Sequence, residues 1–272
     1  MIKIHTCKQH FIDDSDFNVG KFFEEYQNAS SIEQRNFINS IAVQTNPEWQ
    51  ELRAGRFTCS TASKFLAEPR TKADKDAGKI GKSAETLCYK VLAERISNWR
   101  EPDKIWQQRD SVIRGLIFEP IAKKLAEQQI GKKIYDVGFI SNGDYLGWSP
   151  DGITVVDEEK AKDLENMDIE NADFGIEVKT PEPPAYFEML DQMATEDYQQ
   201  QMQMAMWASG LKRIIFVLYC PELDPTNVCM LTYTRGIKYQ EQLNERLPKM
   251  ITKIEELENL HKNKKFNVPE AS

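Results

Sequence analysis

The spacing of apolar residues predicts helices along the first half of the chain, where such residues recur every three or four positions. Proline and glycine mark the ends of one short segment, at Pro47 and Gly55. Ser60 stands where its side chain would cap a further helix. The predicted helical segments are residues 17–41, 47–53, 60–66, 83–97 and 110–129, and the polar stretch 68–82 is expected to be a mobile loop.

Beyond residue 130 the apolar residues alternate with polar ones, as they do in β-strands. Residues 157–173 carry eight acids against two lysines, which indicates a solvated loop. A C-terminal helical sequence is expected to be interrupted at Pro248. The pattern predicts strands at 133–140, 145–156, 174–180, 213–219 and 228–234, with helices near 184–193 and 196–209.

This order of elements predicts an α/β fold in which helices flank a central mixed β-sheet. We divide the chain into an N-terminal helical extension (1–45), a core (46–235) and a C-terminal helical segment (236–272) packed on the core. No apolar run approaches the ~20 residues that a membrane span needs, so we expect no membrane association. The N-terminus lacks the apolar stretch of a signal peptide, so we expect no secretion.

Cysteine and histidine usage narrows the chemistry of any metal site. The chain has five cysteines, none in a Cys-X-X-Cys pair, and three histidines, all near its ends. These spacings do not suit zinc or iron–sulfur ligation, and they disfavour a histidine-based catalytic triad. A metal ion bound by the middle of the chain would therefore have oxygen ligands, which suit magnesium or manganese.

Three charged residues in the middle of the chain are the clearest candidates for catalysis. Glu177 and Lys179 are two positions apart on a predicted strand, so their side chains share one face while Val178 points to the core. Asp151 follows a proline at the start of another strand. If the strands are neighbours, Asp151 and Glu177 can share a divalent cation, and Lys179 can stabilise charge on a phosphate. The alternative is a solvated edge strand with an ordinary Glu–Lys ion pair.

Five motifs in a fixed order connect these residues to a known family. They are Trp49–Ser60 (WQELRAGRFTCS), Arg114–Pro120 (RGLIFEP), Trp148–Gly152 (WSPDG), Gly175–Pro181 (GIEVKTP) and Tyr198–Gln203 (YQQQMQ). Together they resemble the phage lambda exonuclease and YqaJ-type viral recombinase nucleases of the PD-(D/E)xK superfamily, over about residues 47–220. The resemblance implies a restriction-endonuclease-like fold and makes residues 46–235 the nuclease core.

The resemblance also implies roles for individual residues around a Mg²⁺ or Mn²⁺ ion. Glu119 would be a further acid near a second metal position, and Lys179 would be catalytic together with the acids. The implied metal ligands are Asp151, Glu177, the Val178 carbonyl and Glu119.

A second group of residues is implied to bind the phosphate at a DNA 5′ end. An arginine can donate two hydrogen bonds to a phosphate, and a serine near a helix start adds a hydroxyl beside backbone amides. Gln203 carries less weight because it lies about 200° from its neighbour Gln201 around a helix. The implied phosphate-binding residues are Arg53, Ser60, Ser149 and Gln201.

The function implied by the resemblance is digestion of linear double-stranded DNA from its 5′ ends in phage-type recombination. A single-strand annealing protein would be its partner, a ring-shaped trimer its assembly, and the cytoplasm of a bacterial host its location, encoded by a phage or prophage. The net charge of −8 is unusual for a DNA-binding protein, so the placement of charge matters more than its sum. Residues 53–82 hold eight Lys and Arg against three acids, and we expect this basic segment to follow the DNA backbone.

Two other functions remain open from the sequence. One is a structure-specific or site-specific endonuclease of the same fold, which would cut covalently closed circular DNA where an exonuclease cannot. The other is a non-catalytic DNA-binding accessory protein of recombination. The intact set of Asp151, Glu177 and Lys179 argues against the second.

Overall fold

Helices enclose two four-stranded β-sheets in the computed structural model, which describes residues 1–12, 18–41, 43–100 and 105–263. The helices are α1 (Val19–Asn28), α2 (Ser31–Ser40), α3 (Pro47–Arg53), α4 (Ala62–Phe65), α5 (Lys72–Asp76), α6 (Lys82–Ile96), α7 (Ile105–Ile130), α8 (Pro183–Asp191), α9 (Glu196–Ser209) and α10 (Ile237–Asn263). The strands are β1 (Ile2–His5), β2 (His10–Ile12), β3 (Val43–Thr45), β4 (Phe57–Thr58), β5 (Phe139–Asn142), β6 (Leu146–Trp148), β7 (Gly152–Val155), β8 (Ala172–Lys179), β9 (Arg213–Leu218) and β10 (Cys229–Thr234).

Both four-stranded sheets are mixed. One has the order β10-β9-β8-β7, with β8 and β9 parallel and the outer pairs antiparallel. The other has the order β1-β5-β6-β4, in which only β4 and β6 run parallel. Strands β2 and β3 form a separate two-stranded sheet. The predicted mixed α/β class is confirmed, with the strands divided between two sheets instead of one.

The strand predicted at 145–156 is two strands that belong to different sheets. Residues Ser149, Pro150 and Asp151 separate β6 from β7. Proline lacks the backbone N–H that a continuing ladder would need, so the pairing stops there and resumes against β8. The strand predicted at 133–140 is also wrong over most of its length, since β5 begins only at Phe139. The three-residue turn therefore joins the two sheets, and it carries two of the candidate site residues.

The β8–β9 pair forms the middle of the fold, and its two faces contact different helices. Alternate residues of β9 point to opposite sides, as the period of a strand requires. Phe216 packs in a core with residues of α6, α9 and α10, whereas Val217 packs in a second core with residues of α1, α2 and α7. Val178 joins the second core, as predicted, so Glu177 and Lys179 project toward the α9 side.

The first 45 residues contribute three strands, β1, β2 and β3, as well as helices. Strand β1 pairs with β5 along the edge of the second sheet, with Ile4 opposite Ile140. The predicted helical stretch 17–41 is divided at Ser30, whose side chain caps α2 in a capping box with Glu33. Tyr26 of α1 is buried against Phe118 of α7, with ring centroids 4.9 Å apart.

Two further expectations need correction. Pro248 does not interrupt the C-terminal helix, since α10 runs through it to Asn263. Residues 264–272 of the predicted C-terminal segment lie outside the described residues. The expected loop 68–82 contains the short helix α5, which Thr71 caps by accepting a hydrogen bond from the Asp74 backbone N–H.

Candidate active site

Glu177 and Lys179 meet at the end of β8, as their spacing on one face of a strand predicts. Lys179 Nζ donates to Glu177 Oε1 over 2.6 Å. The same carboxylate oxygen accepts a hydrogen bond of 2.7 Å from Gln201 Nε2 on α9. Only 4% of the surface of Glu177 is exposed, so this is not the solvated edge strand of the alternative interpretation.

Asp151 lies beside these residues because β7 pairs antiparallel with β8. Its backbone N–H donates to the Ile176 carbonyl over 3.2 Å, and its Oδ2 accepts a hydrogen bond of 2.6 Å from the Val178 N–H. The glycine at 175 allows the motif tryptophan to pack here, since a Cβ at Gly175 would lie 2.3 Å from the Trp148 ring. The condition that the sequence left open, adjacent strands for the two acids, is therefore met.

Glu119 reaches the same region from α7, with Lys123 as its partner one helical turn away. Lys123 Nζ lies 3.0 Å from Glu119 Oε1, and it also donates to Asp136 and to the Asp151 carbonyl, at 2.6 and 3.0 Å. Burial raises the pKa of Glu119, and the positive charge of Lys123 only partly offsets this effect. The sequence analysis missed Lys123, although its spacing of four residues from Glu119 on a helix was a usable signal.

The three acids influence one another electrostatically. Burial, and after it the negative charges of Glu119 and Glu177, raise the pKa of Asp151 well above its usual range. Burial opposes charge on Lys179, but the carboxylates of Glu177 and Asp151 outweigh it and raise the pKa of Lys179. Lys179 is therefore a cation at neutral pH, and its ammonium also lies 5.2 Å from the Tyr198 ring centroid.

The acids fit a hard divalent cation by their chemistry. Carboxylate oxygens are the ligands that Mg²⁺ and Mn²⁺ prefer, and a cation would relieve the repulsion between these groups. The hydrogen bonds among the described residues use one oxygen of each carboxylate: Asp151 Oδ2, Glu177 Oε1 and Glu119 Oε1. In the described part of the chain, no three His, Cys, Asp or Glu side chains are gathered closely enough to form a complete metal-binding group.

A second pocket forms on the other side of the turn between β6 and β7. Arg53 on α3 donates to Ser149 Oγ over 3.0 Å and to Ser60 Oγ over 3.4 Å. Trp49 Nε1 donates to the same Ser149 oxygen over 3.1 Å, and the guanidinium lies 4.2 Å from the Trp49 ring centroid. Burial lowers the pKa of Arg53 to about 10, which leaves it charged at neutral pH. Three of the four predicted phosphate-binding residues are thus together.

Gln201 is not part of this second pocket, because its amide donates to Glu177. Gln203, which carried less weight, has a structural role: it donates to the Thr234 carbonyl and accepts from the Gly236 N–H, over 2.9 and 2.8 Å. The two glutamines therefore point to different places, as their separation around the helix predicts.

An ion pair with a buried arginine fixes the backbone that follows Lys179. Arg114 on α7 donates two hydrogen bonds to Glu222, at 2.7 and 2.6 Å, and one of 2.6 Å to the Thr180 carbonyl. The Tyr26 hydroxyl also donates to Glu222, over 2.6 Å. Burial opposes charge on Glu222, but these hydrogen bonds and the Arg114 charge outweigh it and lower its pKa to about 2. Sequence reasoning missed this network because its members are far apart along the chain.

A cleft of about 860 Å³ opens onto the site. It is lined by Glu119, Asp151, Val178 and Lys179 together with residues of α1, α2, α7 and α8. No helix among the described residues is long and apolar enough to cross a membrane.

The order of these motifs matches a known family model. The model of the YqaJ-like viral recombinase domain matches residues 48–212, more than half of the chain. The chain belongs to the YqaJ-like viral recombinase family. No curated protein sequence matches it. The matched region of this YqaJ-like chain contains both pockets but not α1 and α2.

Solved structures of exonucleases share the fold of this YqaJ-like chain. The alkaline exonuclease LHK-Exo from Laribacter hongkongensis aligns at 19% identity with a TM-score of 0.59, covering 81% of this chain and 100% of its own. Its complex with dAMP gives the same values. A phage related exonuclease from Haemophilus somnus 129PT aligns at 18% identity with a TM-score of 0.53, covering 76% of this chain and 96% of its own. The fold is therefore the restriction-endonuclease-like one.

Proposed function

We propose that this chain is a metal-dependent exonuclease that digests linear double-stranded DNA from 5′ ends. The observation that carries the proposal is the convergence of Asp151, Glu177 and Lys179 beside a partly buried arginine pocket built on the same turn. Family membership and the exonuclease structures with the same fold add support.

The acid-rich pocket would carry out the hydrolysis. Asp151 and Glu177, with Glu119 and the Val178 carbonyl nearby, would hold Mg²⁺ or Mn²⁺. A divalent cation bound there would activate water and stabilise the leaving oxygen. Since Lys179 is protonated, its role would be to stabilise negative charge on the scissile phosphate and to orient water, not to accept a proton.

The arginine pocket would bind the terminal 5′ phosphate. Arg53 is charged, partly desolvated and already aimed at Ser149 and Ser60, so a phosphate would replace weak hydroxyl contacts with charge-assisted hydrogen bonds. The LHK-Exo structure with dAMP has a nucleoside monophosphate as its ligand, which is the class of product that this reaction would release. Gln201 would act on the catalytic side, by holding Glu177.

The setting of this activity is also a proposal. Phage-type recombination would pair the nuclease with a single-strand annealing protein, which would coat the exposed strand. A homotrimer would enclose the DNA, and the protein would work in the cytoplasm of a bacterial host that carries the phage or prophage gene.

The decisive test of the proposed function compares linear and closed circular DNA. We expect wild-type protein with Mg²⁺ or Mn²⁺ to degrade 5′-phosphorylated linear duplex and to leave the circle intact. A Lys179→Ala variant should be inactive while still binding DNA ends. Cutting of the circle would show an endonuclease instead, and a fully active Lys179→Ala variant would refute the catalytic assignment.

A further inference from the structure

The N-terminal helices form a wall of the catalytic cleft, although they lie outside the region that the family model matches. Ser31, Gln34 and Arg35 of α2 line the same cleft as Asp151 and Lys179. The cleft of about 860 Å³ has room for a segment of a nucleic-acid strand. A strand bound in this cleft would therefore lie within reach of side chains of α2.

This wall is held in place and is not a loosely attached arm. The Tyr26 hydroxyl on α1 donates to Glu222, and it accepts a hydrogen bond of 2.9 Å from Arg114. At the other end of the cleft, Gln9 Nε2 donates to the Pro150 carbonyl over 2.9 Å, directly before Asp151. Residues of α1 and α2 are thus at fixed distances from the catalytic residues.

The described residues that line the cleft include three cations, and two of them pair with acids at distances of 2.6 Å. Arg114 pairs with Glu222, and Lys179 pairs with Glu177. The third, Arg35, lies 3.7 Å from Glu182, and both side chains are mostly exposed, at 66% and 60%. Such an exposed pair contributes little energy, so a phosphate can displace the glutamate.

The N-terminus of α2 itself offers little to an anion. Ser30 and Glu33 form a capping box there, and the Glu33 carboxylate adds negative charge. Arg35 is the one cation of α2, so the electrostatic attraction of the α2 wall for a nucleic-acid backbone would come from its side chain.

We propose that Arg35 is a substrate-binding residue that contacts the phosphodiester backbone of the DNA strand in the cleft. In the absence of DNA, the guanidinium of Arg35 pairs with Glu182, so this carboxylate competes with the DNA phosphate for Arg35. This inference rests on the proposed nuclease function. It extends the DNA-binding surface to a helix outside the region that the family model matches.

Point variants test the inference better than truncation does, because removing residues 1–45 would also remove β1 from its sheet. The variants are Arg35→Ala, Arg35→Lys and Glu182→Gln. Lys21→Ala is the matched control: Lys21 is an exposed cation on α1, paired with Glu25 at 3.8 Å, and it does not line the cleft. Each variant is combined with Lys179→Ala so that binding is measured without hydrolysis. The protein with Lys179→Ala alone is the parent with which the variants are compared.

The measurement is the Kd for a fluorescent duplex of about 20 base pairs, by anisotropy, over a range of salt concentrations. Arg35→Ala should weaken binding roughly threefold to tenfold and reduce the slope of log K against log salt by about 1. Arg35→Lys should keep the slope, Glu182→Gln should tighten binding, and Lys21→Ala should match the parent.

The outcomes separate this inference from the function on which it rests. If the parent binds and wild type degrades linear duplex, but Arg35→Ala and Lys21→Ala have the same Kd and salt slope, the inference about Arg35 is wrong and the nuclease proposal stands. If wild type neither binds nor degrades duplex DNA, the nuclease proposal fails and the inference fails with it.

Discussion

The two pockets on either side of the turn Ser149–Asp151 are built from opposite charges. On one side, three acids repel one another, and the pKa of Asp151 is raised. On the other, the hydrogen-bond partners of the partly buried Arg53 among the described residues are hydroxyls, and its pKa is lowered to about 10. The carboxylates of the first pocket (Glu119, Asp151 and Glu177) outnumber its lysines (Lys123 and Lys179), and Arg53 forms no ion pair among the described residues. The difference teaches that one pocket suits a cation and the other suits an anion, such as a phosphate.

The short turn explains how one chain keeps the two pockets at a fixed spacing. Ser149 supplies the oxygen that contacts Arg53 and Trp49, and two residues later Asp151 faces β8. Because β6 and β7 belong to different sheets, the turn is anchored at both ends. A terminal phosphate and a scissile phosphodiester would thus be positioned by a single rigid element.

The largest expected effect comes from removing one charge of the acid pocket. Asp151→Asn should reduce nuclease activity by about 10³-fold or more, since it removes a proposed metal ligand. Its melting temperature in EDTA should be no lower than that of wild type, because the substitution removes a buried negative charge that Glu119 and Glu177 repel. Nucleotide release and a thermal melt check the two expectations. An active Asp151→Asn protein would contradict the metal-ligand role.

The next largest effect is expected for the Arg114–Glu222 ion pair, which fixes the backbone after Lys179. Glu222→Gln should destabilise the fold at pH 7 by about 1–3 kcal/mol, since the folded pKa of about 2 lies below the ordinary value of 4.5. This stabilisation is complete above the unfolded pKa and is lost as the pH falls through the folded one. Urea unfolding at pH 7 and pH 3 should therefore show the difference between variant and wild type shrinking by roughly half or more. A constant difference would argue against the ionised Glu222–Arg114 pair.

A smaller and more selective effect is expected in the arginine pocket. Arg53→Ala should lower kcat/KM on 5′-phosphorylated duplex by roughly 10- to 100-fold, the value of one charge-assisted contact. On a duplex with 5′-hydroxyl ends the loss should be much smaller. Arg100→Ala is the control, since Arg100 pairs with Glu51 and has no hydrogen bond to the residues of either pocket among the described contacts. Equal losses on both substrates would mean that Arg53 does not recognise the terminal phosphate.

The smallest effect is expected for Gln201→Ala, which tests whether Gln201 acts in the acid pocket or in the arginine pocket. Since its amide donates to Glu177, Gln201→Ala should lower kcat by about 10-fold on 5′-phosphorylated and 5′-hydroxyl ends alike. The preference for a phosphorylated end should not change. If that preference is lost while kcat is kept, Gln201 acts in the phosphate pocket, as the family resemblance implied.

Local patterns in the sequence were sufficient for the parts of the site that lie close together along the chain. The two-residue spacing of Glu177 and Lys179 predicted their shared face, and the period of the helix predicted that Gln201 and Gln203 diverge. The pairing of β7 with β8, which brings Asp151 to Glu177, could only be stated as a condition. Such pairing is decided by packing between distant segments, which alternation does not encode.

The remaining errors have the same physical origin. Proline was expected to interrupt the last helix, yet Pro248 lies within α10, since tertiary packing can outweigh the loss of one backbone hydrogen bond. The strand β1 and the Arg114–Glu222 pair join residues that are more than 100 positions apart. The pattern within a short stretch of sequence does not predict contacts between residues so far apart along the chain. That α2 lines the cleft likewise depends on the tertiary structure and could not be predicted from the sequence.

The most direct test of the two-pocket account uses one duplex with a 5′ phosphate at one end and a 5′ hydroxyl at the other. Each strand carries a different fluorophore at its 3′ end, and strand lengths are followed in time with Mg²⁺ or Mn²⁺. The account predicts that the strand with the 5′ phosphate shortens first, from its 5′ end, and that Arg53→Ala removes this order without abolishing digestion. Shortening from 3′ ends, or equal digestion of both strands by wild type, would contradict it.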